Sequence, residues 1–163
     1  MSRRISIGVV LAVLICILAP VSVLAQNKPV QVALVTPIQI FPEKYTITGI
    51  RLNLLYGRNV SVQGIDIGLI NHTTTGQFQG LQWGLVGLTD ASFTGWQDCA
   101  VNVVQVRCEG LQWGFVNYAG DMSGLQFGFV NYSKKMKGLQ IGLVNIIKQG
   151  GQFPVFPIVN WSF

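Results

Sequence analysis

Charge is what this chain has least of. Aspartate and glutamate number 6, lysine and arginine 11, and charged residues make up 10% of the 163 positions, against roughly a quarter in an ordinary globular domain. Histidine occurs once, as His72 beside the Thr73–Thr75 run, where it reads as a solvated loop residue. One histidine with two cysteines outside the amino terminus supplies no ordinary zinc-binding set. The carboxylates are scattered, and no two stand at a spacing that suggests paired acid–base work. Glycines are plentiful, but no helix-like segment follows them, which removes a phosphate-cradling loop. The cations cluster only at Lys134, Lys135 and Lys137, with no aromatic interleaving, so a nucleic-acid partner is excluded. These absences together predict a protein that is not an enzyme, with no catalytic, metal-binding or cofactor-binding residue and no cofactor.

A long apolar run occurs at the start of the chain. Arg3 and Arg4 precede an apolar stretch from Ile5 to Leu18, Pro20 ends it, and Val23-Leu24-Ala25 offers small residues for cleavage. Basic region, apolar region and small-residue site in that order predict a secretory signal over 1–25, with Gln26 as the new terminus and 26–163 as a single domain. The apolar stretch is shorter than the roughly twenty residues that span a bilayer. Ile15 before Cys16 argues against a lipid-modified cysteine. Export to an oxidising compartment predicts a disulfide between Cys99 and Cys108.

The remainder is a repeat. Gly110-Leu-Gln-Trp-Gly-Phe-Val-Asn117, Gly124-Leu-Gln-Phe-Gly-Phe-Val-Asn131 and Gly138-Leu-Gln-Ile-Gly-Leu-Val-Asn145 are near-identical octads. Looser copies start at Gly49, Gly64, Gly80 and Gly95, and Phe153 to Asn160 closes the series, giving about eight units of 14 to 16 residues. Within a unit the side chains alternate with the period of a strand, and two glycines per octad disfavour a helix. Segments such as Ser133-Lys134-Lys135 have the length of hairpin loops. The fold class is therefore all-β. The first expectation is an antiparallel meander, closing into a small barrel of outer-membrane type. The alternative is a parallel β-solenoid with one coil per repeat, in which the octad-ending Asn would stack in a ladder. Val103-Val104-Gln105-Val106, strand-like where a hairpin needs a turn, favours that alternative.

Alternation divides each octad into an apolar face and a Gln/Gly face. Leu111, Trp113 and Phe115 are expected on one continuous apolar surface with Leu125, Phe127 and Phe129, facing lipid or a core. Trp83, Trp113, Phe115, Phe127, Phe129 and Ile141 are the candidate residues of that face, and Trp83, Trp96 and Trp113 could serve as stacking platforms. Because the Gln column already holds Asp66, an acid at Gln126 is expected to be better tolerated than one at Phe127. Pro154 and Pro157 mark the last segment as an edge strand.

Pro37-Ile-Gln-Ile-Phe-Pro42, Leu52-Asn-Leu-Leu-Tyr-Gly57, the Gly-Leu-Gln-x-Gly-Leu-Val-Asn octads and Pro154-Val-Phe-Pro157 resemble the leptospiral-type bacterial surface repeat proteins. The resemblance covers nearly all of the chain after residue 30, and departs from the pattern at Asp98 and Cys99. It implies an exported or surface location in a Gram-negative bacterium and a repeat fold, and brings no activity or ligand. Two functions fit these observations. One is a structural or interaction protein at the outer membrane or cell surface, partnered by its components. The other is a soluble periplasmic or secreted binder of an apolar or carbohydrate ligand.

Overall fold

A computed structural model describes residues 27–163. The expected signal segment, with Cys16, lies outside the described residues. Strands fill most of the chain: β1 Asn27–Val35, β2 Ile38–Gln39, β3 Thr46–Asn59, β4 Ser61–Thr73, β5 Phe78–Thr89, β6 Ser92–Trp113, β7 Val116–Phe127, β8 Val130–Gln149 and β9 Val155–Ser162. From β1 through β3 to β8 every pairing is parallel, and octad lies on octad. Gly49, Gly64, Gly80 and Gly95 align in successive rungs, as do Gly110, Gly124 and Gly138. Each repeat is thus one rung of a parallel β-solenoid.

This replaces the expected antiparallel meander and its barrel with the alternative. Ser133–Lys135, expected as a hairpin loop, lies inside β8 and continues the winding. The physical reason is visible in the pairing. Parallel in-register stacking sets each residue beside its own counterpart, Gln126 on Gln112 and Asn131 on Asn117. A side-chain amide carries both donor and acceptor, so identical amides stacked this way can satisfy one another. The expected Asn ladder is present on those terms.

Both octad glycines are imposed by the stacking. Gly124 has φ of +132°, a backbone region closed to most side chains. A Cβ on Gly124 would also collide with the carbonyl oxygen of Gly110 in the rung below, and one on Gly128 with that of Gly114. The chain bends at Gly114–Phe115 and Gly128–Phe129, so that the residues on both sides of the bend point outward.

The interior is narrow. One wall of it is an apolar stack of Ile47, Val62, Phe78, Phe93, Cys108, Met122 and Met136, one per rung. Phe78 and Phe93 stack at 4.6 Å with planes 1° apart. On the same strands runs the glutamine column, in which Gln140, Gln126, Gln112 and Gln97 each donate Nε2 to the Oε1 of the preceding rung at 2.7–2.9 Å. Gln82 ends the series on Asp66 at 2.9 Å. The asparagine column runs the other way, Asn102 donating to Asn117, Asn117 to Asn131 and Asn131 to Asn145, each at 2.8 Å. At the carboxyl end β9 turns back antiparallel onto β8, in agreement with the edge position expected from its prolines.

Glutamine points inward and the aromatic column outward, where it packs in no core, and the expected energetic consequence reverses. Gln126 is completely buried, whereas Phe127 is 40% exposed. Asp66 is accommodated because Arg51 meets it at 2.7 Å inside the solenoid, and no cation accompanies Gln126. Gln126→Asp removes the donor to Gln112 Oε1 and buries an unpaired charge. The expected loss is about 3–5 kcal/mol, against about 1 kcal/mol or less for Phe127→Asp. Urea unfolding of the two variants beside the parent checks this; equal losses would contradict the ladder.

Candidate functional site: an apolar groove floored by glycine

Numbering each rung from its first glycine, the second, fourth and sixth residues project outward. The fourth column reads Leu52, Ile67, Trp83, Asp98, Trp113, Phe127, Ile141, and the sixth Leu54, Leu69, Leu85, Ala100, Phe115, Phe129, Leu143. Between them lies the fifth position, glycine in most rungs. Where glycine leaves this central column without side chains, the two flanking columns become the walls of a groove. Trp113 and Phe127 meet at 4.9 Å between ring centroids on one wall, and Phe115 and Phe129 at 5.3 Å on the other.

The groove is two cavities in line. The carboxyl-proximal one, of about 530 Å³, runs from Asp98 and Ala100 over Gly114 and Gly128 to Gly142 and Ile158. The amino-proximal one, of about 580 Å³, runs from Leu54 to Trp83 and Leu85 over Gly68 and Gly84. Trp83 is 62% exposed. Neighbouring outward columns, such as Ile50, Ile65, Leu81 and Trp96, extend the apolar surface beyond the groove. Scattered exposed apolar residues are normal on any protein, whereas a continuous apolar face of this kind marks a binding surface.

All six residues expected on the apolar face line this groove: Trp113, Phe115, Phe127, Phe129 and Ile141 in the larger-walled segment, Trp83 in the other. Trp96 belongs to the adjoining column and lines neither cavity. Sequence reasoning missed the glycine floor, having placed both octad glycines with glutamine on the face away from the apolar surface. It also missed the asparagines as positioning residues. Asn102 Nδ2 holds the backbone carbonyl of Trp113 at 2.8 Å, Asn117 that of Phe127 at 3.0 Å and Asn131 that of Ile141 at 2.9 Å. Each bond fixes the backbone of a wall residue just before the bend, so the ladder inside orients the wall outside. The octad pattern itself carried that signal, since Asn ends five of the seven glycine-led octads, at 71, 102, 117, 131 and 145.

The third and fourth rungs each break the rule once, and the two breaks compensate. Cys99 occupies the floor position of a glycine, and Gly87 occupies the position of an asparagine. A Cβ on Gly87 would run into Gln82 Oε1, Gln97 Nε2 and the Cys99 sulfur. Glycine at 87 therefore makes room for the thiol at 99. On the surface the fourth rung presents Asp98 and the small Ala100 in place of aromatic or branched walls.

At the carboxyl end, Ile158 of β9 pairs with Gly142 and lines the groove. Its φ is +68°, the one positive value of a non-glycine among the described residues. For a β-branched residue this conformation costs on the order of 1–3 kcal/mol. The side chain it holds in place is 71% exposed. Strain that places an apolar side chain in solvent at the mouth of a groove points to a role there.

His72, expected as a loop residue, stands on β4 instead. It bonds Tyr56 Oη at 2.8 Å through Nδ1 and Asp90 at 2.8 Å through Nε2, away from the groove. Asn59, Asn71, Asn131 and Asn160, which begin Asn-x-Ser/Thr sequences, are wholly buried.

The expected Cys99–Cys108 disulfide is not formed. Both are free, buried thiols, Cys99 beneath the groove floor and Cys108 in the apolar stack. Parallel winding is the reason, because it places them in different interior columns, where they meet neither across a hairpin nor across a coil. Burial pushes both thiols up to about 12, with Asp66 and Asp98 adding to the rise at Cys99 and Glu109 at Cys108. The unfolded thiols ionise near pH 9, so between about pH 9 and 12 the unfolded chain binds fewer protons than the folded one. Stability due to these groups is complete below pH 9 and declines toward pH 12. In the 26–163 chain, which lacks Cys16, two equivalents of thiol should react with a disulfide reagent at pH 8 in denaturant and essentially none in the folded protein. Replacing both with alanine should flatten part of the alkaline decline; absence of reactive thiol in unreduced, denatured protein would restore the disulfide. Compared with known proteins, the chain matches no family model, no curated protein and no solved structure.

Proposed function

We propose that this is an exported, non-enzymatic binding protein that takes an extended apolar ligand, a hydrocarbon chain, along the glycine-floored groove. The observation that carries the reading is the groove's construction: a floor without side chains, between walls of Trp113, Phe127, Phe115 and Phe129 that have no ordered core to pack against. Burying such surface against a chain is favourable by about 25 cal/mol per Å² before the costs of association. A saccharide is a poorer fit, because its hydroxyls need several placed polar groups, and the lining offers one carboxylate, Asp98, and backbone. The octads' resemblance to bacterial surface repeat proteins supports placement outside the cytoplasm. The apolar columns that continue past the groove, from Val30 and Val32 in β1 onward, favour contact with an outer-membrane or cell-surface component from which such a chain would come.

Dodecyl maltoside and maltose separate the alternatives, both used below the detergent's micelle concentration. Tryptophan fluorescence should change saturably with dodecyl maltoside and not with maltose. Replacing both Phe115 and Phe129 with serine should weaken binding by about tenfold or more, since roughly 1.4 kcal/mol per decade is less than two aromatic walls contribute. Binding of maltose alone, or unchanged affinity in the double variant, would overturn the assignment.

A further inference from the structure

Resting on that reading, we infer that the carboxyl-proximal groove selects a single alkyl chain of about ten to twelve carbons bearing a cationic head, with Asp98 receiving the head and Ile158 stopping the chain. The two ends of this cavity differ in chemistry. At one end stands Asp98, the single charged residue in the outward second, fourth, sixth and seventh columns between Ile50 and Val144. It takes part in none of the four ion pairs among the described residues. Trp83 lies beside it in direct register, and Trp113 follows it in the same cavity wall. A carboxylate between two exposed indoles suits an ammonium group, which gains both the ion pair and attraction to the aromatic faces. Ala100, where other rungs carry Leu or Phe, lowers the opposite wall at this point and leaves room for a head larger than a chain.

The other end is closed by hydrocarbon. Ile158 sits over Gly142, and its strained backbone directs the side chain to the mouth. From Cys99 to Gly142 the floor advances three rungs, through Gly114 and Gly128. At about 4.8 Å per rung this is about 14 Å, the length of an extended chain of about ten to twelve carbons built on single C–C bonds.

Net charge makes the head preference a sharp test. The protein is basic, with formal net charge +5, so its overall field favours anions, and selection of a cation has to come from a local group. Isothermal titration with octyl-, dodecyl- and hexadecyl-trimethylammonium and with the matching alkyl sulfates, all below micelle concentration, reads both features. Dodecyltrimethylammonium should bind at least about tenfold more tightly than dodecyl sulfate, with affinity levelling off beyond twelve carbons. Asp98→Asn should abolish the head preference, so that dodecyltrimethylammonium and dodecyl sulfate bind with affinities within about twofold of each other. Ile158→Gly, which also relieves the positive φ, should move the plateau to longer chains. Equal affinity for the two heads, or a cation preference that survives Asp98→Asn, overturns the role of Asp98. A plateau unmoved by Ile158→Gly overturns the stop. If dodecyl maltoside itself fails to bind the parent protein, it is the groove reading that falls.

Discussion

A buried primary amide has to both donate and accept, and the whole molecule depends on stacking such amides one rung apart. Leaving one unsatisfied costs about 1–3 kcal/mol, and the interior holds a glutamine or its equivalent in nearly every rung. The column has a direction because of what lies at its end. Asp66 is a carboxylate and can only accept, so Gln82 must present Nε2 to it, and each following glutamine must then present Nε2 to the Oε1 before it. The carboxylate collects Arg51 through Nε and Nη2, Asn53 and Gln82 at 2.7–3.0 Å. A buried ion pair is near break-even in energy; here its contribution is polarity. The same polarity leaves one acceptor over at the far end, where Gln140 Oε1 has no partner among the described residues.

Stacking of this kind leaves two open edges, and the chain closes both with strands that do not continue the winding. At the start, β2 lies antiparallel on β1, and Gln31 occupies both its donor and its acceptor on the backbone of Phe41 at 2.7 and 2.9 Å. At the end, β9 runs antiparallel and carries Pro157, with Pro154 immediately before it, neither of which can donate to a further strand. The last rung's asparagine is not left pointing at nothing, for Asn145 donates to the carbonyls of Gly142 and Phe156 at 3.0 and 3.2 Å. Ile158 belongs to this closing strand, so the element that ends the ladder also ends the groove.

Much of this was legible in the sequence, and the direction of stacking was not. Period, strand character and the two faces follow from alternation within Gly124 to Asn131, which is local. Whether neighbouring repeats run parallel or antiparallel is not local, and spacing alone is compatible with both. The discriminating residues were the ladder-forming Gln126 and Asn131 and the strand-like Val103–Val106, which make sense only if like stacks on like. Two further expectations failed for reasons of the interior: the Cys99–Cys108 disulfide, drawn from export and the pairing of two thiols, and tolerance of an acid at Gln126, drawn from Asp66 in the same column without the Arg51 that accompanies it. The groove's aromatic walls were found because outward alternation is common to both geometries. Its glycine floor was not, because a groove between two columns exists only when the rungs stack in register.

The apolar wall is not something the solenoid needs in order to fold. Its interior is filled by amides, the Ile47–Met136 stack and small residues, leaving no space into which Trp113 or Phe129 could turn. Other outward positions of the same rungs are polar: Gln63, Gln79, Thr94 and Ser123 stand immediately before the repeat glycines on strands that pair as regularly as any. Threonine or tyrosine would serve strand propensity on the groove wall equally well. Hydrophobic burial therefore stabilises nothing at Trp83, Trp113, Phe115 or Phe129 that a polar residue would forfeit, beyond the contacts each aromatic makes with the next. What the asparagine ladder does for these residues, fixing the carbonyls of Trp113, Phe127 and Ile141 from inside, is hold an unfilled surface in a set shape. A pre-shaped apolar surface loses little conformational entropy when it is covered, and that is the physical property a chain-binding groove requires.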